Sequence, residues 1–219
     1  MTSNLTQISK IRVIDDTDSG RDALGLVVED ANFTLEEQSS SIYNLDLYLQ
    51  ECKENVDAIV SDHHLRRQSN YFPVDGAEFV SRCYQTRIPS LLVTKFESVE
   101  VAEFRRYRKY IPVILKPAEY NEDTLIAALE KSINEFKGNF ESDRKSWRTL
   151  IRIEDVDPNN PQNFYAIVPA WNSREAIALN LELLPPEFSN LVKPEARFYA
   201  QVNIGTEKGN ELFFSNWEL

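Results

Sequence analysis

Four short apolar runs in the first half of the chain each end on a polar residue of a distinct kind. Ile11-Arg12-Val13-Ile14 ends on Asp15-Asp16, and Ala58-Ile59-Val60-Ser61 ends on Asp62. Leu91-Leu92-Val93 ends on Thr94, and Ile111-Pro112-Val113-Ile114-Leu115 ends on Lys116-Pro117. Strands of a parallel sheet read as continuous apolar runs, because helices cover both faces. Open α/β sheets place their sites in the crevice at the carboxyl ends of those strands. If the runs are neighbours, three carboxylates, a hydroxyl and an ammonium meet in one crevice. That set suits a divalent cation and a phosphoryl group.

The segments between the runs have helical spacing. Ser19 to Asp30 carries Ala23, Leu24, Val27 and Val28, with Asp18 or Ser19 as its cap. Asn32 to Glu36 reads as a weak strand. Ser41 to Lys53, Gly76 to Arg87, Val99 to Tyr110 and Asn121 to Phe136 read as further helices. In the helix expected over Val99 to Tyr110, Arg105, Arg106, Arg108 and Lys109 form a largely solvated face. The stretch from His63 to Asp75 is polar and long for a connection between a strand and a helix. Five strand–helix repeats imply an α/β fold: a doubly wound, five-stranded parallel sheet.

After Lys137-Gly138 the pattern changes. Arg148 to Val156 alternates apolar and polar residues, and Asn163 to Trp171 reads as another strand. Arg174 to Leu184 is expected to be a short helix stopped by Pro185-Pro186. Arg197 to Ile204 and Glu211 to Trp217 flank a hairpin turn. The expected division is residues 1–137, a linker at 138–146, and a small β-rich domain at 147–219. Whether that domain is a barrel or a sandwich stays open. Trp147, Trp171 and Trp217 are expected to anchor its core.

Three carboxylates a few Å apart repel, and one would hold a proton unless a cation joined them. Mg2+ is the natural companion, a hard ion that accepts carboxylate and phosphate oxygens. A carboxylate beside it can act as a nucleophile towards phosphorus and form an aspartyl phosphate. Thr94 and Lys116 would contact the added phosphoryl group, so its loss would release both, as in a switch.

In these residues, positions from about 10 to 136 resemble the receiver domain of two-component response regulators, of flavodoxin-like fold. The resemblance implies that Asp15 and Asp16 are the acidic pair, that Asp62 is the phosphoacceptor, and that Thr94 and Lys116 sense the phosphoryl group. It implies Mg2+ held by Asp15, Asp16, Asp62 and the backbone carbonyl of His64. Lys116-Pro117 matches a pair whose bond is usually cis, and Asp75-Gly76 matches the start of the third helix. The implied partners are a sensor histidine kinase or phosphotransfer protein and a downstream protein, with a homodimer left open. Four features depart from the family. Lys95 stands where a small residue is usual, Val113 where an aromatic is usual, and His63-His64 replaces an apolar pair. The loop from Asp62 to Asp75-Gly76 is also longer.

Two other readings remain. One is an interaction module of receiver fold that works without phosphorylation. The other is a phosphohydrolase, because Asp16-Thr17-Asp18 resembles the Asp-x-Asp motif of the haloacid dehalogenase-like family, with Asp16 as nucleophile. Glu122-Asp123 is a poor match to the further acidic pair that family needs.

The chain has 219 residues and a formal charge of -11, which disfavours nonspecific binding to nucleic acid or anionic membrane. From Trp147 onward there are 6 Lys/Arg against 10 Asp/Glu, which makes nucleic acid an unfavoured partner of that domain too. That domain also lacks His and Cys, so imidazole and thiol catalysis have no place in it. No apolar run approaches the roughly 20 residues of a membrane span. The first residues lack the basic and apolar pattern of a signal peptide. Cys52 and Cys83 read as reduced core thiols. A cytoplasmic, non-enzymatic signalling protein is the expectation.

Overall fold

The computed structural model describes residues 8–67, 70–95 and 104–219. The chain divides into two compact units, Met1–Phe96 with Tyr110–Asn139, and Glu97–Lys109 with Phe140–Leu219.

In the first unit the apolar runs become parallel strands: β1 (Lys10–Ile14), β3 (Ala58–Ser61), β4 (Ser90–Val93) and β5 (Ile114–Leu115), joined by β2 (Thr34–Glu37). Their order is β2-β1-β3-β4-β5. This is a doubly wound, flavodoxin-like sheet whose order reverses between β1 and β3. Helices α1 (Asp18–Asp30) and α4 (Glu122–Phe136) cover one face, with Leu24, Val28, Leu125 and Leu129 on Ile11, Val13, Val60 and Leu91. Helices α2 (Leu45–Asn55) and α3 (Gly76–Gln85) cover the other, with Tyr48, Leu49 and Phe79 on Ile14 and Ile59. Burial on both faces is why these strands read as unbroken apolar runs.

One polar residue interrupts that pattern. Arg12 is buried in β1, and its Nε donates to Glu36 Oε1 of β2 at 2.8 Å while Nη2 donates to Glu51 Oε1 of α2 at 2.8 Å. A buried guanidinium needs such partners. Glu36 of β2 therefore answers Arg12, which gives one of the two glutamates in that strand a structural reason.

Several boundaries differ from the sequence expectations for local reasons. Thr17, rather than Asp18 or Ser19, caps α1 by accepting from Gly20 N at 3.1 Å. Asn44 caps α2, accepting from Asp46 N and Leu47 N, so that helix starts at Leu45 rather than Ser41. β5 is shorter than its apolar run, because Pro112 has no N–H for the ladder and pairing begins at Ile114. The Lys116–Pro117 bond is trans, not cis.

Residues 99–103 of the helix expected over Val99–Tyr110 lie outside the described residues. Its described end corrects the solvated-face reading: Arg105 and Arg108 are buried. Within the second unit Arg105 Nη1 donates to the carbonyls of Gly209 and Leu212 at 2.9 and 2.8 Å. Burial pushes the Arg105 guanidinium down to about 10. Arg144 donates to the carbonyls of Arg108 and Lys109 at 3.0 and 2.7 Å.

The second unit is an antiparallel sheet of β6 (Trp147–Val156), β7 (Asn163–Val168), β8 (Asn172–Asn180), β9 (Arg197–Val202) and β10 (Phe214–Glu218). Its order is β10-β9-β6-β7-β8. Ile151, Ile153, Phe164, Ala166, Ile177, Leu179, Phe198 and Ala200 alternate inward and form its core. The helix expected over Arg174–Leu184 is instead strand β8. Its Ala and Glu residues favour a helix, but Ile177 and Leu179 lie two apart and pair across β7 with Ala166 and Phe164. Packing on a pleated surface overrides that local preference. Of the three tryptophans, Trp171 and Trp217 pack on the core, whereas Trp147 is 57% exposed and anchors nothing there.

Candidate functional site

Register brings the polar strand ends together. Ile14 pairs with Ser61, Ser61 with Leu92, and Val93 with Leu115. The residues that follow these pairs are Asp15-Asp16, Asp62, Thr94 and Lys116. The backbone carries the alignment one step further, with Asp62 N donating to Ile14 O and Thr94 N to Leu115 O, each at 2.9 Å. The crevice therefore lies at the carboxyl edge, where the strand order reverses.

Each side chain has a distinct setting there. Asp62 Oδ2 accepts from the backbone N–H of His64 at 2.7 Å. Burial, with the nearby charge of Asp15, raises the Asp62 carboxyl above its ordinary range, against the pull of the His64 N–H. Asp15 Oδ1 accepts from Thr17 N at 2.8 Å and Thr17 Oγ1 at 2.7 Å, so it also braces the first turn of α1. Asp16 is only 4% exposed. Lys116 is exposed at the end of β5, and its backbone N–H donates to Glu119 Oε2 at 2.9 Å. Lys95 is exposed beside Thr94. Val113 packs against the apolar cluster under α4. His63 is buried, and its ring Nδ1 accepts from Ala77 N at 3.4 Å.

Thr94 is the residue that most needs an explanation. It is fully buried, and among the described residues its hydroxyl has no hydrogen-bond partner. A buried hydroxyl left unpaired costs about 1–3 kcal/mol. Asp18, the second carboxylate of the Asp-x-Asp motif, opens α1 instead; its side chain is 94% exposed and pairs with Arg21.

Two glycines complete the site, and their roles were not read from the sequence. A Cβ on Gly76 would lie 1.8 Å from the carbonyl oxygen of Asp62, and one on Gly20 would lie 2.2 Å from the Asp15 carboxylate. Each lets the first turn of a helix close on an acidic strand end. The dipeptide Asp75-Gly76 was a visible signal, though its reason, close backbone approach, is not legible in one dimension.

No protein-family model matches the chain, and no curated protein matches it. Among solved structures, the chain is similar to a response regulator receiver domain protein from Clostridium thermocellum, at 17% identity over 59% of this chain and 98% of that one, with TM-score 0.44. It is similar to the signal receiver domain of an HD domain-containing protein from Pseudomonas fluorescens, at 20% identity over 60% of this chain and 94% of that one, with TM-score 0.44. A third is the chemotaxis response regulator CheY4 of Vibrio cholerae, at 20% identity over 57% of this chain and 99% of that one, with TM-score 0.40. The second unit is not identified by these likenesses.

The donor set fits a hard cation. Asp15, Asp16 and Asp62 offer oxygen ligands, and the Asp62 carboxyl is raised first by burial, with the Asp15 charge adding to it. The side chains are not gathered as a finished cage, however. Among the described residues no three Asp, Glu, His or Cys side chains form a metal-holding group.

The unpaired hydroxyl gives a direct test. Thr94→Val keeps the branched shape and removes the unsatisfied oxygen, so it is expected to stabilise the ligand-free protein by about 1–2 kcal/mol. For a chain of this size that is a rise of roughly 2–8 °C in Tm by calorimetry. An unchanged or lower Tm would mean that the hydroxyl is already satisfied.

Proposed function

We propose that the first unit is the phosphoacceptor receiver of a response regulator, with Asp62 as the modified residue. The observation that carries this reading is the buried Thr94 hydroxyl, without a partner among the described residues, at the strand end next to the one that bears Asp62. A hydroxyl kept dry without a partner is suited to a ligand oxygen that comes and goes.

In the proposed step an Asp62 carboxylate oxygen attacks the phosphorus of a phosphohistidine on a sensor kinase or phosphotransfer protein. The P–N bond breaks, the imidazole nitrogen leaves with the electron pair and takes a proton from solvent, and an aspartyl phosphate forms. Thr94 donates its hydroxyl to a phosphoryl oxygen, and Lys116 offsets the new negative charge. Mg2+, held by Asp15, Asp16, Asp62 and the His64 carbonyl, would neutralise charge on the phosphoryl oxygens. The second unit is the proposed output module, acting through protein contacts. Its acidic balance, 6 Lys/Arg against 10 Asp/Glu, disfavours DNA. Among the described residues no helix is long and apolar enough to cross a membrane.

Incubation with Mg2+ and acetyl phosphate, followed by mass spectrometry, tests the reading. The expected result is one phosphoryl group on Asp62 and none on the Asp62→Ala variant. No adduct on the wild type, or an equal adduct on the variant, ends it.

The incomplete gathering of carboxylates favours a second reading, a receiver-like module that works without phosphorylation. Beryllofluoride with Mg2+ separates the two. A change in melting temperature or oligomeric state supports the phosphoacceptor, and no change supports the constitutive module.

A further inference from the structure

The long loop after Asp62 has a structural task at the opposite side of the crevice. Tyr71, near its end, is 5% exposed, and its hydroxyl donates to the Gln38 carbonyl at 2.5 Å. The Tyr71 carbonyl accepts from Ile42 N at 2.8 Å, which ties the loop to the connection between β2 and α2. The Tyr71 ring then faces the guanidinium of Arg21, with 5.7 Å from the guanidinium carbon to the ring centroid.

Arg21 is itself only 6% exposed, on the first turns of α1. A buried guanidinium must find acceptors. It pairs with Asp18, and its Nη1 donates to the backbone carbonyl of Asp15 at 2.6 Å. That carbonyl belongs to the peptide joining Asp15 to Asp16. Holding it fixes the plane of the peptide between the two carboxylates, and so the direction in which Asp16 leaves the chain.

We propose that Arg21, held against Tyr71 of the long loop, is a positioning residue that aims the Asp15-Asp16 pair at a divalent cation. The proposal rests on the phosphoacceptor reading for the identity of the cation. It gives the long loop a task, since the loop carries the Tyr71 ring that faces Arg21. Partners that orient ligating side chains commonly change metal affinity by 10–100-fold when removed. A lysine cannot replace Arg21, because an ammonium lacks the planar fork that spans Asp18 and the Asp15 carbonyl while presenting a face to the ring.

The test is calorimetric titration of the full chain with Mg2+, beside acetyl phosphate labelling at saturating Mg2+. Arg21→Lys and Tyr71→Leu are expected to raise the Mg2+ dissociation constant by about tenfold and several-fold respectively. Tyr71→Phe, which keeps the ring, is expected to stay within about twofold of the wild type, and labelling rates at saturating Mg2+ are expected to stay within about twofold for all three. A merely structural role predicts the opposite pattern: lower melting temperature with an unchanged dissociation constant. That result in a folded Arg21→Lys or Tyr71→Leu protein overturns the proposal. If the wild type binds Mg2+ but takes no phosphoryl group, the phosphoacceptor reading fails while the affinity comparison still decides the role of Arg21. If the wild type binds no Mg2+, the proposal falls as well.

Discussion

Gly76→Ala is expected to destabilise the protein by about 3 kcal/mol or more, and to lower Tm by roughly 6–12 °C. The reason is the identity of the atoms in the way. The added methyl would meet the Asp62 carbonyl oxygen at 1.8 Å, the Asp62 carbonyl carbon at 2.8 Å and the His63 Cα at 2.9 Å. All are backbone, so no rotamer change relieves the overlap. Gly76 N also donates to His63 O at 2.7 Å, and pushing α3 outward would break that bond. The same displacement moves Asp62, so phosphoryl labelling is expected to fall even where the variant remains folded.

Two other glycines provide the contrast that makes this a test of backbone approach rather than of glycine in general. Gly138 sits at φ +84° with nothing among the described residues near its Cβ position, so Gly138→Ala carries only the local strain of left-handed backbone, about 1 kcal/mol. Gly20→Ala would collide with a side chain, the Asp15 carboxylate, which can swing away. Its cost belongs to the acidic pair more than to the fold. Differential scanning calorimetry on the three variants should rank Gly76→Ala as the most damaging. A Gly76→Ala protein as stable as Gly138→Ala would mean that α3 does not close on Asp62 as described.

The sequence was most legible where burial is two-sided. Ile11 to Ile14, Ala58 to Ser61 and Ser90 to Val93 could only be inner strands, and their order fixed which polar residues meet. It was least legible where a residue answers a partner far along the chain. Arg12 looks like an interruption of an apolar run until Glu36 and Glu51 are placed around it. Arg105 looks solvated until the carbonyls of Gly209 and Leu212 approach it. Arg21 and Tyr71 lie far apart in sequence, with no periodicity to join them. Arg174 to Leu184 failed for a different reason: its helix-favouring composition outweighed a two-residue alternation of only Ile177 and Leu179. At the site, residue types suggested a cation and a phosphoryl group, while the Asp15 bond to Thr17 and the burial of Thr94 belong to the folded chain alone.

The Asp62 carboxyl yields a second large effect, whose sign is set by the direction of its shift. Its folded value is raised, first by burial and then by the Asp15 charge. The folded state therefore holds this proton more tightly than the unfolded chain does. Where the two states differ in bound protons, stability falls as pH rises. The ionised carboxylate imposes no penalty below the unfolded value near 4, and the penalty grows until pH passes the folded value. Asp62→Asn removes the charge while keeping the shape. It is expected to match the wild type near pH 4 and to melt higher at pH 7, by roughly 2–4 °C for each kcal/mol of relief. Saturating Mg2+ should narrow that gap, because it stabilises the ionised wild type and leaves the amide without a comparable gain. The same variant should take no phosphoryl group. Melting curves from pH 4 to pH 8, with and without Mg2+, check the sign. A gap that shrinks as pH rises in the absence of Mg2+ would show that Asp62 is stabilised by its surroundings. The proposed role of the crevice, in which a cation and a phosphoryl group relieve the cost of ionising Asp62, would then lose its energetic basis.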